Sequence, residues 1–177
     1  RTADAAGAAN RAFRATRRLQ GPVRPAAVVG ARVGVGLDVT GAIPLHLAVT
    51  ADGSTLLAAC ADSLVRIIEL PSLRLRAVLR GHTGSVEAIA FSPDGRMLVT
   101  GGSDATVRLW DINTCETLAM FEGHTAEVVS VAFALDGNLI ISGSWDSTLR
   151  VWDTANETGG TVLGEHNDWV REVVVNP

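Results

Sequence analysis

The chain has 177 residues, 47% of them hydrophobic, and a formal net charge of −4. That is enough apolar material for the packed core of one sizeable domain, which excludes a disordered tail. No apolar run reaches the roughly 18 residues of a membrane span, and the acidic balance argues against general nucleic-acid binding.

The charge is unevenly spread. Residues 1–38 carry seven Arg and two Asp, a net +5, whereas residues 39–177 carry eight Arg and seventeen acids, a net −9. Within this leader, Asn10 can cap a short helix over residues 11–19, which Gly21-Pro22 would end. A short helical or disordered leader is expected. An Arg-rich, acid-poor segment also suits an organellar transit piece or a basic docking arm. Residues 26–39 are apolar and Gly-studded and read as a strand of a preceding blade or as the outer strand that closes the ring. Gly34-Val35-Gly36 lacks the third glycine and the following helix of a dinucleotide site. The chain starts at Arg1 and stops at Val173-Val174-Val175-Asn176-Pro177, a strand-like run, so both ends are expected to be cuts in a longer sequence.

From residue 39 onward the chain repeats itself with a step of 42. Gly81-His82-Thr83 recurs as Gly123-His124-Thr125, Asp94-Gly95 as Asp136-Gly137, and Trp110-Asp111 as Trp152-Asp153. Asp52-Gly53 and Val65-Arg66 extend the series backward, and His166 extends it forward. Residues 81–122 and 123–164 are identical at 14 of 42 positions with no gap. Each unit alternates apolar runs with turn signals. In the second unit Val86, Ile89 and Phe91 mark one strand, residues 97–100 another, 106–110 a third and 117–121 a fourth. Asp-Gly between such runs is a hairpin signal, because Gly accepts positive φ at little cost. The third unit places its strands at 128–133, 139–142, 148–152 and 161–163. Four short strands per 42 residues is the pattern of a propeller blade.

Gly-His at the head, Asp-Gly in the middle and Trp-Asp near the tail make the chain resemble the WD40-repeat family. The resemblance implies an all-β fold, a WD40-type β-propeller fragment of about three four-stranded antiparallel blades plus the start of a fourth. Its parts would be the leader 1–38, a degenerate repeat 39–80, repeats 81–122 and 123–164, and a truncated repeat 165–177. Three blades and a fragment cannot close a ring, so the rest of the propeller is expected from missing sequence or from another chain.

His124, Ser142 and Asp146 invite a reading as a catalytic triad, as do His82, Thr100 and Asp104. The same set recurs one unit later, and catalytic sets are not normally tiled. The resemblance instead implies two buried structural networks: His82, Thr100, Asp104 and Trp110, then His124, Ser142, Asp146 and Trp152. In each the indole would donate to the hydroxyl, the hydroxyl bond the imidazole, and the imidazole bond the Asp. The first unit has Thr40, Ala58, Asp62 and Ile68 at these places. It keeps only the Asp, so its register is expected to rest on packing. Histidines 82, 124 and 166 sit on blades that fan apart, which excludes one shared metal. No cofactor and no catalytic residue is expected.

Family likeness also implies a partner-binding loop face, three positions per blade. These are Ser85, Glu87 and Ser103, then Glu127, Val129 and Trp145, then Trp169 and Arg171. Ile43, Leu45 and Ala61 would be the first unit's set, but its missing His leaves that alignment open. Trp and Arg dominate interface hot spots, so Trp145, Trp169 and Arg171 are the candidates for protein contact; packing against a neighbouring blade is the competing role for either Trp. Glu87 and Glu127 would form an acidic rim that favours a basic partner.

The expected function is a non-catalytic protein-protein interaction scaffold or adaptor. The alternative is a sensor or regulatory propeller of a larger enzyme, a kinase or a nucleotide-hydrolysing switch protein. Binding of nucleic acid by the leader is a third reading and predicts affinity that collapses with salt. Cys60 and Cys115 have no metal or disulfide spacing, which suits an intracellular, cytoplasmic or nuclear, setting. Asn156-Glu157-Thr158 would be a glycosylation signal only in a secreted protein.

Overall fold

The computed structural model describes residues 42–50, 52–134, 137–156 and 160–175. The leader with its helix, strand and GxG readings, Thr40, and Glu157 and Thr158 of the glycosylation triplet lie outside them. Among the described residues, twelve strands form three four-stranded antiparallel sheets. The first is β1 (Pro44–Val49), β2 (Thr55–Cys60), β3 (Leu64–Glu69) and β4 (Arg74–Arg80), side by side in chain order. The second is β5 (Val86–Phe91), β6 (Met97–Gly102), β7 (Val107–Asp111) and β8 (Thr117–Phe121). The third is β9 (Val128–Ala134), β10 (Leu139–Ser144), β11 (Thr148–Asp153) and β12 (Thr161–Glu165).

The turns explain why each sheet is a meander. Gly53 and Gly95 adopt φ of 73° and 72° between the first and second strands of their sheets, a conformation that Gly reaches without a Cβ clash. Ser92 tightens its turn by donating to Asp94 (2.6 Å) and accepting from the Met97 amide (2.9 Å). Thr50 does the same with Asp52 (2.6 Å) and the Thr55 amide (3.0 Å). Between the second and third strands the left-handed residue is not Gly: Ser63, Ala105 and Ser147, each 42 apart, have φ of 67°, 62° and 68°. The repeat thus extends to a backbone detail that composition does not announce.

The core lies between the sheets. Leu57, Ala59, Val65, Ile67 and Leu79 of the first pack on Val86, Ile89, Leu98, Trp110 and Ile112 of the second. Ala88, Val99, Val107, Leu109 and Phe121 of the second pack on Val128, Val131, Phe133, Ile140 and Trp152 of the third. Each fully buried side chain of this size contributes about 1.5–3 kcal/mol. Close approach needs glycine: a Cβ on Gly101 would meet Val128 at 2.6 Å from Cγ1 and 2.8 Å from the carbonyl oxygen. Gly143 stands in the same relation to Val170, 2.6 Å from its Cγ1. The chain after β12 therefore begins to cover the third sheet as β9 covers the second. Its Val170 amide donates to Ser144 O (3.1 Å) and its Val173 amide to Ser130 Oγ (2.8 Å). The strand expected at 173–175 joins no sheet among the described residues, because its backbone makes single anchoring bonds rather than a ladder. Three blades and the start of a fourth make this an all-β propeller fragment.

Candidate functional site

Two polar clusters sit inside the second and third blades. In the second, His82 Nε2 lies 2.7 Å from Thr100 Oγ1, which accepts from Trp110 Nε1 at 2.9 Å. His82 Nδ1 lies 3.0 Å from both Asp104 oxygens. The Asp also accepts from the Thr83 amide (2.9 Å) and the Thr106 hydroxyl (2.8 Å). In the third blade His124 lies 2.7 Å from Ser142 Oγ and 2.7 Å from Asp146, and Trp152 Nε1 donates to Ser142 at 2.8 Å. Thr148 takes the place of Thr106, at 2.7 Å from Asp146. One arrangement of protons satisfies each cluster: indole to hydroxyl, hydroxyl to Nε2, Nδ1–H to carboxylate.

Burial lowers both imidazoles below their ordinary value; the neighbouring carboxylates pull the other way without overcoming it. The histidines are therefore neutral, and the contact to Asp is a hydrogen bond rather than an ion pair. Burial would raise Asp104 and Asp146. The amides of Thr83 and Thr125, the hydroxyls of Thr106 and Thr148, and the imidazoles outweigh it and hold both carboxyls below the usual range. Thr100 and Ser142 have 0% exposure, so neither hydroxyl can reach a substrate. Among the described residues, no three His, Cys, Asp or Glu side chains come together as metal ligands.

The first blade differs. Ala58 and Ile68 replace the hydroxyl and the indole and pack with Ala42 and Cys60 in an apolar cluster. Asp62 is not left alone: Arg66 grips it in a fork, Nη1 to Oδ1 at 3.0 Å and Nη2 to Oδ2 at 2.6 Å. The apolar cluster accords with the expectation that this blade relies on packing, and Arg66, four residues beyond Asp62 in β3, gives the carboxylate a partner in place of the absent imidazole. The sequence hides this, because Arg108 and Arg150 occupy the same repeat position without such a bond.

The loop face is built from strand ends. In each blade one backbone bond joins the head of the first strand to the end of the second: Ala61 N to Ile43 O (2.9 Å), Ser103 N to Ser85 O (2.9 Å), Trp145 N to Glu127 O (3.0 Å). These pairs are each 42 apart, so Ile43, Leu45 and Ala61 hold the first blade's places despite its missing His. Ile43 and Leu45 are 55% and 44% exposed. In the second blade the Ser85 hydroxyl donates to Glu87 Oε1 at 2.6 Å and lies 3.0 Å from Ser103 Oγ, which gathers all three candidates. In the third, Glu127 and Val129 are half-buried. Trp145, 39% exposed, stacks on Trp169, 51% exposed, with ring centroids 5.0 Å apart and planes 20° off parallel. The Trp169 amide donates to its neighbour Asp168 at 2.8 Å, and Arg171 is exposed beside it. The face thus runs from aliphatic on the first blade, through hydroxyl and carboxylate, to a paired aromatic surface.

Residues 73–111 and 115–153 match the family model described as WD domain, G-beta repeat. Among the solved structures that resemble the chain are U3-55K and the RRP9 WD40 repeats. Each is 28% identical with a TM-score of 0.69, over 73% of this chain and 41% of the other. The chain therefore spans less than half the length of these neighbours. Comparison with curated protein sequences gives no match.

Proposed function

This chain is built of WD40 repeats, and on that premise we propose that it is a non-catalytic scaffold that holds a peptide or protein across its loop face. The observation that carries the reading is the Trp145–Trp169 stack, two large apolar rings left open to solvent at positions that connect two blades. An exposed indole pair buries much area on contact and loses little entropy, which is what a binding hot spot requires. Ile43 and Leu45 supply a second apolar contact on the same series of strand ends, and Glu87 and Glu127 favour a partner with basic residues between the two. The solvent-free hydroxyls of Thr100 and Ser142 support the non-catalytic part. Two free thiols, Cys60 and Cys115, support an intracellular setting. The missing length relative to U3-55K and the RRP9 WD40 repeats supports a ring completed by further blades. The test is affinity capture from native lysate with the full-length protein and with Trp145→Ala/Trp169→Ala. Partners held by the first and lost by a still-folded double variant uphold the reading; an unchanged partner set rejects this face.

A further inference from the structure

The outermost strand of the first blade, β4, carries a second kind of surface. Its Arg74, Arg76 and Arg80 are all exposed, as is Leu75, in a body whose net charge over residues 39–177 is −9. Among the described residues, none of the three forms an ion pair. The equivalent positions of the next blade, 42 residues on, hold Glu116, Leu118 and Glu122, so the edge charge reverses from one blade to the next. With the sheet order β1-β2-β3-β4, β4 pairs on one side only among the described residues. Half of its backbone N–H and C=O groups therefore face away from the sheet, along seven residues. Ala77 and Leu79 anchor the strand in the core between the first two blades, which holds the edge in place. The register shift between Ile67 and Ile68 leaves Arg76 without a partner in the ladder.

We propose that β4 is a docking edge for an extended acidic peptide, which adds as a fifth strand and sets the carboxylates of one face against Arg80, with Arg76 reaching in from the bulge; Arg74, paired with Glu69, stands on the opposite face. Backbone bonds supply the strand pairing, and the arginines select the sign of the side chains. Three like charges repel the same edge of a second copy, which disfavours self-pairing there. A long nucleic acid would meet the acidic body beyond the patch. A short acidic segment meets only the field within a Debye length of about 8–10 Å. This surface lies on the outer strand, so it is separate from the loop face and its partner.

The experiment is fluorescence anisotropy on the full-length protein with a labelled Glu-Val-Glu-Val-Glu-Val-Glu peptide at low salt. Arg76→Glu with Arg80→Glu is expected to weaken binding by about tenfold or more, and N-methylating alternate valines of the peptide to do the same by removing the strand bonds. If the charge reversal disturbs folding by circular dichroism, Arg76→Ala with Arg80→Ala replaces it, with a loss of about fivefold expected. Equal binding of the N-methylated peptide would overturn the proposal in favour of charge alone. Tighter binding of an oligothymidylate of equal charge would overturn it in favour of a nucleic acid. Self-association of the wild type that the Arg variant loses would overturn it in favour of a second copy, and no binding at about 1 mM peptide, a free energy near −4 kcal/mol, would leave no docking edge.

Discussion

Trp145 of the third blade lies against Trp169 of the chain that follows, ring on ring, 5.0 Å between centroids. The two residues are 24 apart in sequence and belong to different repeats. A stacked pair is worth about 0.5–1.5 kcal/mol beyond its area. Trp145→Ala is therefore expected to cost roughly 1 kcal/mol of stability while weakening partner capture. Trp152→Ala, which empties a site 1% exposed, should cost about 3–5 kcal/mol. Chemical denaturation of the two variants compares them; equal losses would make Trp145 a core residue and remove the basis of the binding reading.

Ser142 is the hub of its cluster, holding Trp152 and His124 at once. Ser142→Ala strands a buried indole N–H and a buried imidazole nitrogen, at about 1–3 kcal/mol each. Thr100→Ser keeps the hydroxyl and removes one methyl, which should cost only about 1 kcal/mol. Urea midpoints decide between them. A Ser142→Ala variant as stable as Thr100→Ser would mean that the cluster adds nothing beyond packing.

Gly101 allows the second blade to meet Val128 of the third. Gly101→Ala puts a methyl group against a backbone carbonyl, which cannot swing away. A loss of about 2 kcal/mol or more is expected. Gly143→Ala meets only the side chains of Val170 and Val173 and should be tolerated better. Thermal melts that rank the two the other way round would contradict the packing described.

Arg66 and Asp62 form the first blade's substitute bond. The side chains are 12% and 33% exposed, so water screens the pair and Asp62→Asn should cost at most about 1 kcal/mol. Asp146→Asn removes the charge that two amides, a hydroxyl and an imidazole share, and should cost about 2–3 kcal/mol. A cost for Asp62→Asn equal to that of Asp146→Asn would show the two turns to be equivalent.

Burial lowers His46, His82 and His124 below the imidazole value of 6.5, with Glu172 opposing weakly at His46 and the network carboxylates opposing at the other two. The unfolded chain takes up these protons first, so it binds more of them than the folded chain does. Stability is fully present above about pH 6.5 and falls as the pH drops below it, by at most about 1.4 kcal/mol per unit for each histidine. The lowered Asp104 and Asp146 add a further loss below the ordinary carboxylate range, again in the direction of acid. Melting temperatures between neutral and mildly acid pH check this; a flat or rising curve contradicts it.

Much of this was legible in the sequence because the repeat is strict. A step of 42 with no gap carries the strands, the Asp-Gly turns and the paired His, hydroxyl, Asp and Trp from one blade to the next. What lies between repeats is less legible. Periodicity shows that Trp145 and Trp169 occupy loop positions, but not that adjacent blades turn these two toward each other. The Asp62–Arg66 fork escaped because every repeat has an arginine at that place, and only in the blade without the imidazole does it grip the turn Asp. Residues with positive φ at 63, 105 and 147 are Ser, Ala and Ser, types that give no warning of a left-handed turn. The loop-face set of the first blade looked doubtful without its His, yet the backbone bond from Ala61 to Ile43 preserves it.

The indole hydrogens of Trp110 and Trp152 are each given to a hydroxyl that water does not touch. Such a hydrogen can exchange with solvent deuterium only when its own sheet comes apart. The protein thereby carries one isotopic clock in each of two neighbouring blades, chemically alike and separately visible by magnetic resonance. If the two run at one rate, the blades open together; if Trp110 loses its hydrogen sooner, opening spreads from the side of the first blade, where no such clock exists.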